Sequence, residues 1–178
     1  LYETNRLRQV RDGAPAGRTH RIANGVPTPP PLPPRTGAVP PVMCLIGRVV
    51  PIKDVKTFIR AARLVCQRSP DVQAWIAGPD EEHPAYAQEC HDLVRTLGLQ
   101  QQVHFLGFQR VPELLPRIGV NVLSSISEGL PLVLIEGFAA GVPAVATDVG
   151  ACRELIEGLS ADDRALGSAG AVVPIADP

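Results

Sequence analysis

From Val42 onward the chain alternates short apolar runs with longer amphipathic stretches. VMCLI (42–46) is an apolar run of strand length. Beyond a polar loop, Val55, Phe58, Ile59, Ala62, Val65 and Cys66 recur at the spacing of one helix face. That spacing predicts a helix over 55–68, with Asp54 as its N-cap. QAWIA (73–77) reads as the next strand, and 84–97 as a second helix opened by Pro84 and closed by Gly98. VHFL (103–106) is a strand, 112–117 a short helix held between prolines, and VNVLS (120–124) a buried strand. A buried helix over 132–140 stops at Gly141, and AVAT (144–147) follows as a strand. A helical turn at 154–156 and a last strand over 171–175 complete the pattern.

Strands and helices that alternate across short connections predict an α/β fold: a doubly wound parallel sheet, Rossmann-like. Such sheets bind ligands past the carboxyl ends of their strands. The loops 47–53, 78–83, 107–111, 124–131 and 147–150 all follow strands and are expected on one edge.

The first 40 residues break this rhythm. Residues 1–25 are polar and rich in arginine (Arg6, Arg8, Arg11, Arg18, Arg21). They are read as a connector left from a preceding domain, with a short helix over 1–11 and a short strand over 18–22. Residues 26–40 hold seven prolines, which predicts an extended linker. Residues 41–178 are the folded domain. The chain opens at Leu1 and closes directly after a strand-like VVPI, so a fragment of a longer protein is expected.

Composition sharpens the picture. Hydrophobic residues make up 45% and aromatic ones only 4%, so the core is aliphatic, as in parallel strands covered on both faces. A formal net charge of −1 points to neither a nucleic-acid nor a membrane surface. No apolar run nears the ~20 residues of a membrane span, so no membrane insertion is expected. Cys44, Cys66, Cys90 and Cys152 form no C-x-x-C pair and no metal-ligand cluster, which suits a reduced, cytoplasmic chain. His20, His83, His91 and His104 are scattered, and only His83 falls on a strand-end loop. P-loop, G-x-G-x-x-G and G-x-S-x-G motifs are absent.

The chemistry concentrates in SEGLPLVLIEGFAAG (127–141). Glu128 and Glu136 stand eight residues apart, one in a small-residue loop and the other within the helix that follows. At about 1.5 Å rise per helical residue plus the turn, the two carboxylates lie roughly 6 to 10 Å apart on one crevice. The helix start between them offers backbone N–H groups and a positive dipole end to an anion. Carboxylates accept from hydroxyls, so the pattern suits sugars on both sides of a phosphate, as in a nucleotide-sugar. On the first loop, Gly47 permits close backbone approach, while Arg48 and Lys53 supply two cations for a diphosphate.

The motifs GRVVPIKD (47–54), HFLGF (104–108), SEGLPLVLIEGFAAGVPAVATDVG (127–150) and RELI (153–156) resemble the donor-binding domain of GT-B-fold retaining glycosyltransferases of family four. The resemblance covers 42–178. Within that family, GRVVPIKDVKTFIRA, FLGFQRVPELLP and TDVGACRELIEG look like the Pel-type enzymes of bacterial exopolysaccharide assembly. The resemblance implies that Arg48 and Lys53 hold the diphosphate of a UDP-hexose, Glu128 contacts the donor sugar and Glu136 the ribose. It places backbone groups around Gly129, Leu130 and Leu132 on phosphate or sugar oxygens, and the base around Phe108 to Arg110. It implies a glycan acceptor, a membrane-associated polysaccharide synthase complex as partner, and no metal, the cations and helix dipole neutralising the diphosphate. A fragment without the acceptor-binding half is expected to bind a nucleotide more readily than to turn over. An epimerase on a related fold, or a nucleotide-sensing or scaffold module of a secretion complex, are the alternatives.

Overall fold

The computed structural model describes residues 3–20, 22, 24–27 and 38–178. The expected linker falls in large part on 28–37, which lie outside the described residues, as do Arg21 and Ala23. At the N-terminus, Glu3–Arg11 is helical (α1). The expected strand over 18–22 is not found among its described residues. Ala16–Arg18 is a 3-10 turn instead, led by Pro15 at φ −61° and closed by Thr19, whose Oγ1 donates to the Pro15 carbonyl at 2.8 Å. Proline fixes the φ that starts such a turn.

From there the alternation becomes structure. β1 (Val42–Ile46) leads through a 3-10 turn at Pro51–Lys53 into α2 (Val55–Arg68). Then come β2 (Gln73–Ala77), α3 (Pro84–Thr96), β3 (Val103–Gly107) and α4 (Val111–Leu114). β4 (Val120–Leu123), α5 (Leu132–Ala139), β5 (Ala144–Thr147), α6 (Cys152–Glu157), α7 (Ala161–Ala165) and β6 (Gly170–Val173) follow. The six strands pair in parallel in the order β3-β2-β1-β4-β5-β6. The doubly wound α/β fold is thus the observed one. Among the described residues no helix is long and apolar enough to cross a membrane.

Strand order is what positions a site. The chain winds outward through β1, β2 and β3, then returns to lay β4 on the other side of β1. The order therefore reverses between β1 and β4, where crossovers lie on opposite faces and leave a crevice at the strand ends.

Alternation along each strand fills both faces. Met43 and Leu45 point into a cluster with Val55, Phe58 and Ile59 of α2 and Ala87 and Cys90 of α3. Val42 and Cys44 point the other way, onto Leu114, Leu115 and Ile118. On that second face Leu123, Ala144 and Ala146 pack against Leu134, Cys152 and Ile156. Phe58, Ile59 and Ile76 are completely buried.

Most boundaries fall within a residue or two of the sequence expectation, and the larger departures each have a local reason. The helix expected over 112–117 splits into α4 and a 3-10 turn at Leu115–Arg117, because Pro116 has no N–H to continue the ladder. The last strand ends at Val173 because Pro174 cannot donate. α7 was not expected. Its signal is a capping box: Ser160 Oγ accepts from the Asp163 N–H at 3.0 Å, and Asp163 accepts from the Ser160 N–H at 2.8 Å.

All four thiols are free and buried. Burial pushes Cys44 up to about 12 and Cys90 and Cys152 to about 11, and it also raises Cys66. Thiolate is the reactive form. A chromogenic disulfide reagent at mildly alkaline pH is therefore expected to titrate none of the thiols rapidly in the folded chain. All four should react once it is unfolded in denaturant. Fast reaction of any thiol under native conditions would contradict this packing.

Candidate functional site

The loop after β1 is held from below and from both sides. Val49 and Val50 are buried, which pins the segment between Arg48 and Lys53 to the core. Pro51 starts the 3-10 turn that presents Lys53. Asp54, at φ 44°, then caps α2: its carboxylate accepts from the Thr57 N–H at 3.3 Å and the Thr57 hydroxyl at 2.7 Å.

Across the crevice, the loop after β4 is tied to this one. Ser124 Oγ donates to the carbonyls of Lys53 (2.9 Å) and Asp54 (3.0 Å), and the Ile126 N–H donates to the Ile52 carbonyl at 2.9 Å. Lys53 Nζ reaches Glu128 Oε1 at 2.5 Å, and Ser125 Oγ donates to the same oxygen at 2.6 Å. The two charged side chains are only 20% and 13% exposed, so solvent screens their attraction little. The structure thus joins Lys53 and Glu128 at the switch point.

The loop after β5 supports Glu128 from beneath. The buried Thr147 donates its hydroxyl to the Ser125 carbonyl at 2.6 Å, and the Ala151 N–H donates to the Gly129 carbonyl at 3.0 Å. Gly150 makes this contact geometrically feasible. A Cβ there would lie 2.4 Å from the carbonyl oxygens of both Glu128 and Gly129, and its φ of 55° already disfavours any side chain.

α5 begins at this point. Pro131 is its N-cap residue and supplies no side-chain cap, and no acidic residue occupies the first turn. Its first amides and dipole are therefore offered to an anion beside Gly129 and Leu130. α5 is seated on β4 by Asn121 Nδ2, which donates to the Val133 carbonyl at 3.0 Å, and by Gly137, whose missing side chain leaves room for Asn121.

Glu136, one turn into α5, is half-buried, and burial raises its carboxyl above the usual range. Its carboxylate makes no hydrogen bond or ion pair among the described residues. It is a partly desolvated acceptor without a partner. Arg48 is placed differently from Lys53. Its Nη1 donates to both oxygens of Glu82, at 2.7 and 2.5 Å, on the neighbouring loop after β2. Phe108 follows Gly107 at the end of β3 and is 78% exposed. His104, by contrast, is structural: its Nε2 is 2.7 Å from Gln73 Oε1 on β2.

Ser124, Ser125, Thr147 and Glu82 were not singled out from sequence. Their roles depend on which strand ends meet, and single small polar residues flanked by aliphatic ones give little local signal. An apolar cavity of about 520 Å³ lies against Phe58, Val120, Val122 and Val145 and reaches Ser124 and Thr147. Among the described residues no Lys or Arg lines it, so these residues give it no charge to hold a phosphate. Among the described residues, no group of three His, Cys, Asp or Glu side chains is placed to hold a metal ion.

Comparison with known proteins identifies the family. Residues 40–178 match the family described as Glycosyl transferases group 1. The chain is 37% identical over 105 residues to the putative glycosyltransferase EpsD of Bacillus subtilis, covering 58% of this chain and 26% of that protein. It is 35% identical over 113 residues to the lipopolysaccharide core biosynthesis glycosyltransferase LpsE of Rhizobium meliloti, covering 63% and 31%. Among solved structures it resembles Anabaena HepE in complex with UDP and glucose, with a TM-score of 0.65 at 27% identity, over 77% of this chain and 35% of that one. The C-terminal domain of LpcC from Francisella tularensis, a group 1 glycosyl transferase, superimposes with a TM-score of 0.64 at 25% identity, over 75% and 67%. The chain spans 26% of EpsD and 31% of LpsE, about a quarter to a third of these relatives. It belongs to the group 1 glycosyltransferases, as a domain of the GT-B type.

Because burial raises the Glu136 carboxyl, folding favours its protonated form. The stability this lends is fully present below the ordinary value of 4.5 and is lost as pH rises through the higher folded value. Glu136→Gln is therefore expected to raise Tm slightly at about pH 7, with the gap closing toward about pH 4. Thermal melts across that range check it, and equal Tm values at neutral pH would contradict the assignment.

Proposed function

We propose that this chain is the donor-binding half of a retaining glycosyltransferase that moves a hexosyl group from a UDP-sugar to a growing exopolysaccharide of the Pel type. One observation carries the reading. At the switch point a partly buried Lys53–Glu128 pair stands beside the uncapped start of α5, with the unpartnered Glu136 one turn further on. Cation, helix end and two acceptors are the elements that a sugar–diphosphate–ribose sequence requires.

In this reading Arg48 and Lys53 take the diphosphate, close to the backbone that Gly47 leaves bare. The amides near Gly129 and Leu130 add donors to phosphate or sugar oxygens. Glu128 accepts from hydroxyls of the donor hexose, Glu136 from the ribose, and the base lies by Phe108. The bond between the anomeric carbon and the β-phosphate oxygen breaks, and the acceptor oxygen bonds to that carbon on the same face. The acceptor proton passes to the leaving phosphate oxygen, and UDP departs. Preorganised cations and the helix end stabilise the charge that develops on the diphosphate, which is how we account for its neutralisation.

The uridine assignment is supported by HepE, whose structure holds UDP and glucose. The Pel assignment is supported by GRVVPIKDVKTFIRA, FLGFQRVPELLP and TDVGACRELIEG. With it come a glycan acceptor, a cytoplasmic location and a membrane-associated synthase complex as partner. The chain spans only part of its relatives, so turnover is assigned to the complete enzyme and donor binding to this domain.

Calorimetric titration with UDP, against UMP, GDP and ADP, tests the proposal. UDP is expected to bind at least about tenfold more tightly than UMP, because each charge-assisted contact is worth about 1.5 to 3 kcal/mol. Arg48→Ala/Lys53→Ala should weaken UDP by about a hundredfold or more while circular dichroism stays unchanged. A folded chain that binds none of these nucleotides, or a double variant that binds UDP undiminished, would overturn the proposal.

A further inference from the structure

We infer that Glu82 is an internal competitor of the donor diphosphate: it occupies Nη1 of Arg48, competes with the diphosphate for that guanidinium, and thereby sets how tightly UDP is held. The inference rests on the donor-site reading above and adds a residue from a loop that the reading does not use.

The loops after β1 and β2 are built as one piece. The Gly47 N–H donates to the Ala77 carbonyl and the Val49 N–H to the Pro79 carbonyl, both at 2.9 Å. These bonds bracket Arg48 and hold its backbone against the β2 loop. Gly78 is the residue at the seam. A Cβ there would stand 2.0 Å from the Gly47 carbonyl oxygen, so only glycine lets the loops meet this closely. Glu82 is anchored in turn, because the next residue, His83, is the N-cap of α3 and its carbonyl accepts from the Ala87 N–H at 2.9 Å.

The β2 loop carries Asp80, Glu81 and Glu82. Asp80 Oδ2 lies 3.6 Å from His91 Nε2, and Glu82 is the carboxylate on Arg48. His83 Nε2 stands 3.9 Å from Glu82 Oε1, at the margin of this pair. Glu82 places its two oxygens on one guanidinium nitrogen, as two phosphate oxygens of a donor would. With Nη1 held by Glu82, only Nε and Nη2 of Arg48 remain for a phosphate, so the two anions compete for the Nη1 donors and for the guanidinium charge. The pair is about half exposed on each side, so solvent screens it and it exchanges readily.

This arrangement contrasts with Lys53, whose carboxylate partner is mostly buried and held by Ser125. Lys53 and Glu128 form the fixed part of the cradle, and Arg48 and Glu82 the exchangeable part. When UDP leaves, Glu82 recaptures Arg48. Such a competitor weakens product binding and favours release, a step that limits turnover in many enzymes.

The test is a double-mutant cycle read by UDP titration of wild type, Glu82→Gln, Arg48→Ala and the double variant. Glu82→Gln is expected to tighten UDP by about two- to fivefold, the range of an exposed ion pair. The gain should vanish when Arg48 is alanine, because there is then nothing to compete for. Unchanged or weaker UDP binding in Glu82→Gln would overturn the inference while leaving the donor site standing. So would a gain that persists with Arg48→Ala, which would mark only a general charge effect. Absence of UDP binding in all four proteins would overturn both readings together.

Discussion

The contact between Lys53 and Glu128 is the constraint on which the site depends. It links two loops that are far apart in sequence but adjacent in space, because β4 returns to lie beside β1. A lysine and a glutamate at a crevice would ordinarily gain little from each other in water. Here both are largely withdrawn from solvent, and Ser125 shares the carboxylate oxygen. Their geometry is therefore set by the fold and not by chance encounters of long side chains. Ser124, Ile126 and Thr147 complete the brace through backbone carbonyls, so the polar groups of three strand ends satisfy one another.

This bracing explains why the pattern of small residues matters as much as that of charged ones. Gly78 and Gly150 each sit where a single methyl would meet a carbonyl oxygen at 2.0 and 2.4 Å. One closes the first loop onto the second, and the other closes the β5 loop under Glu128. Between them they bring four loops close together, in two pairs, at the strand ends. The same loops carry Arg48 and Glu82, so close packing of the backbone also fixes which charges confront each other.

Much of the fold was legible in the sequence because its signals are local. The apolar runs at 42–46, 73–77 and 144–147 and the helical spacing at 55–68 appear as elements with those bounds. In each case aliphatic content, period and flanking turn residues agree. The placement of the candidate residues Gly47, Lys53, Glu128, Gly129, Leu130 and Glu136 was legible for a similar reason: they sit where a strand ends or a helix starts. What escaped was non-local. Strand order, the Ser125 and Thr147 supports and the Arg48–Glu82 pair all follow from which loops become neighbours, and no spacing along the chain encodes that. α7 escaped for another reason: Ser160 and Asp163 form a capping box over a stretch with no apolar face to mark it.

A structure of the chain with UDP, determined by crystallography after soaking, tests the central claim most directly. The account predicts the diphosphate against Lys53 and the first turn of α5, with the ribose hydroxyls on Glu136 and Arg48 turned from Glu82 to phosphate. UDP seated elsewhere, for example in the apolar cavity by Val120 and Val145, with Lys53 and Glu128 untouched, would contradict it.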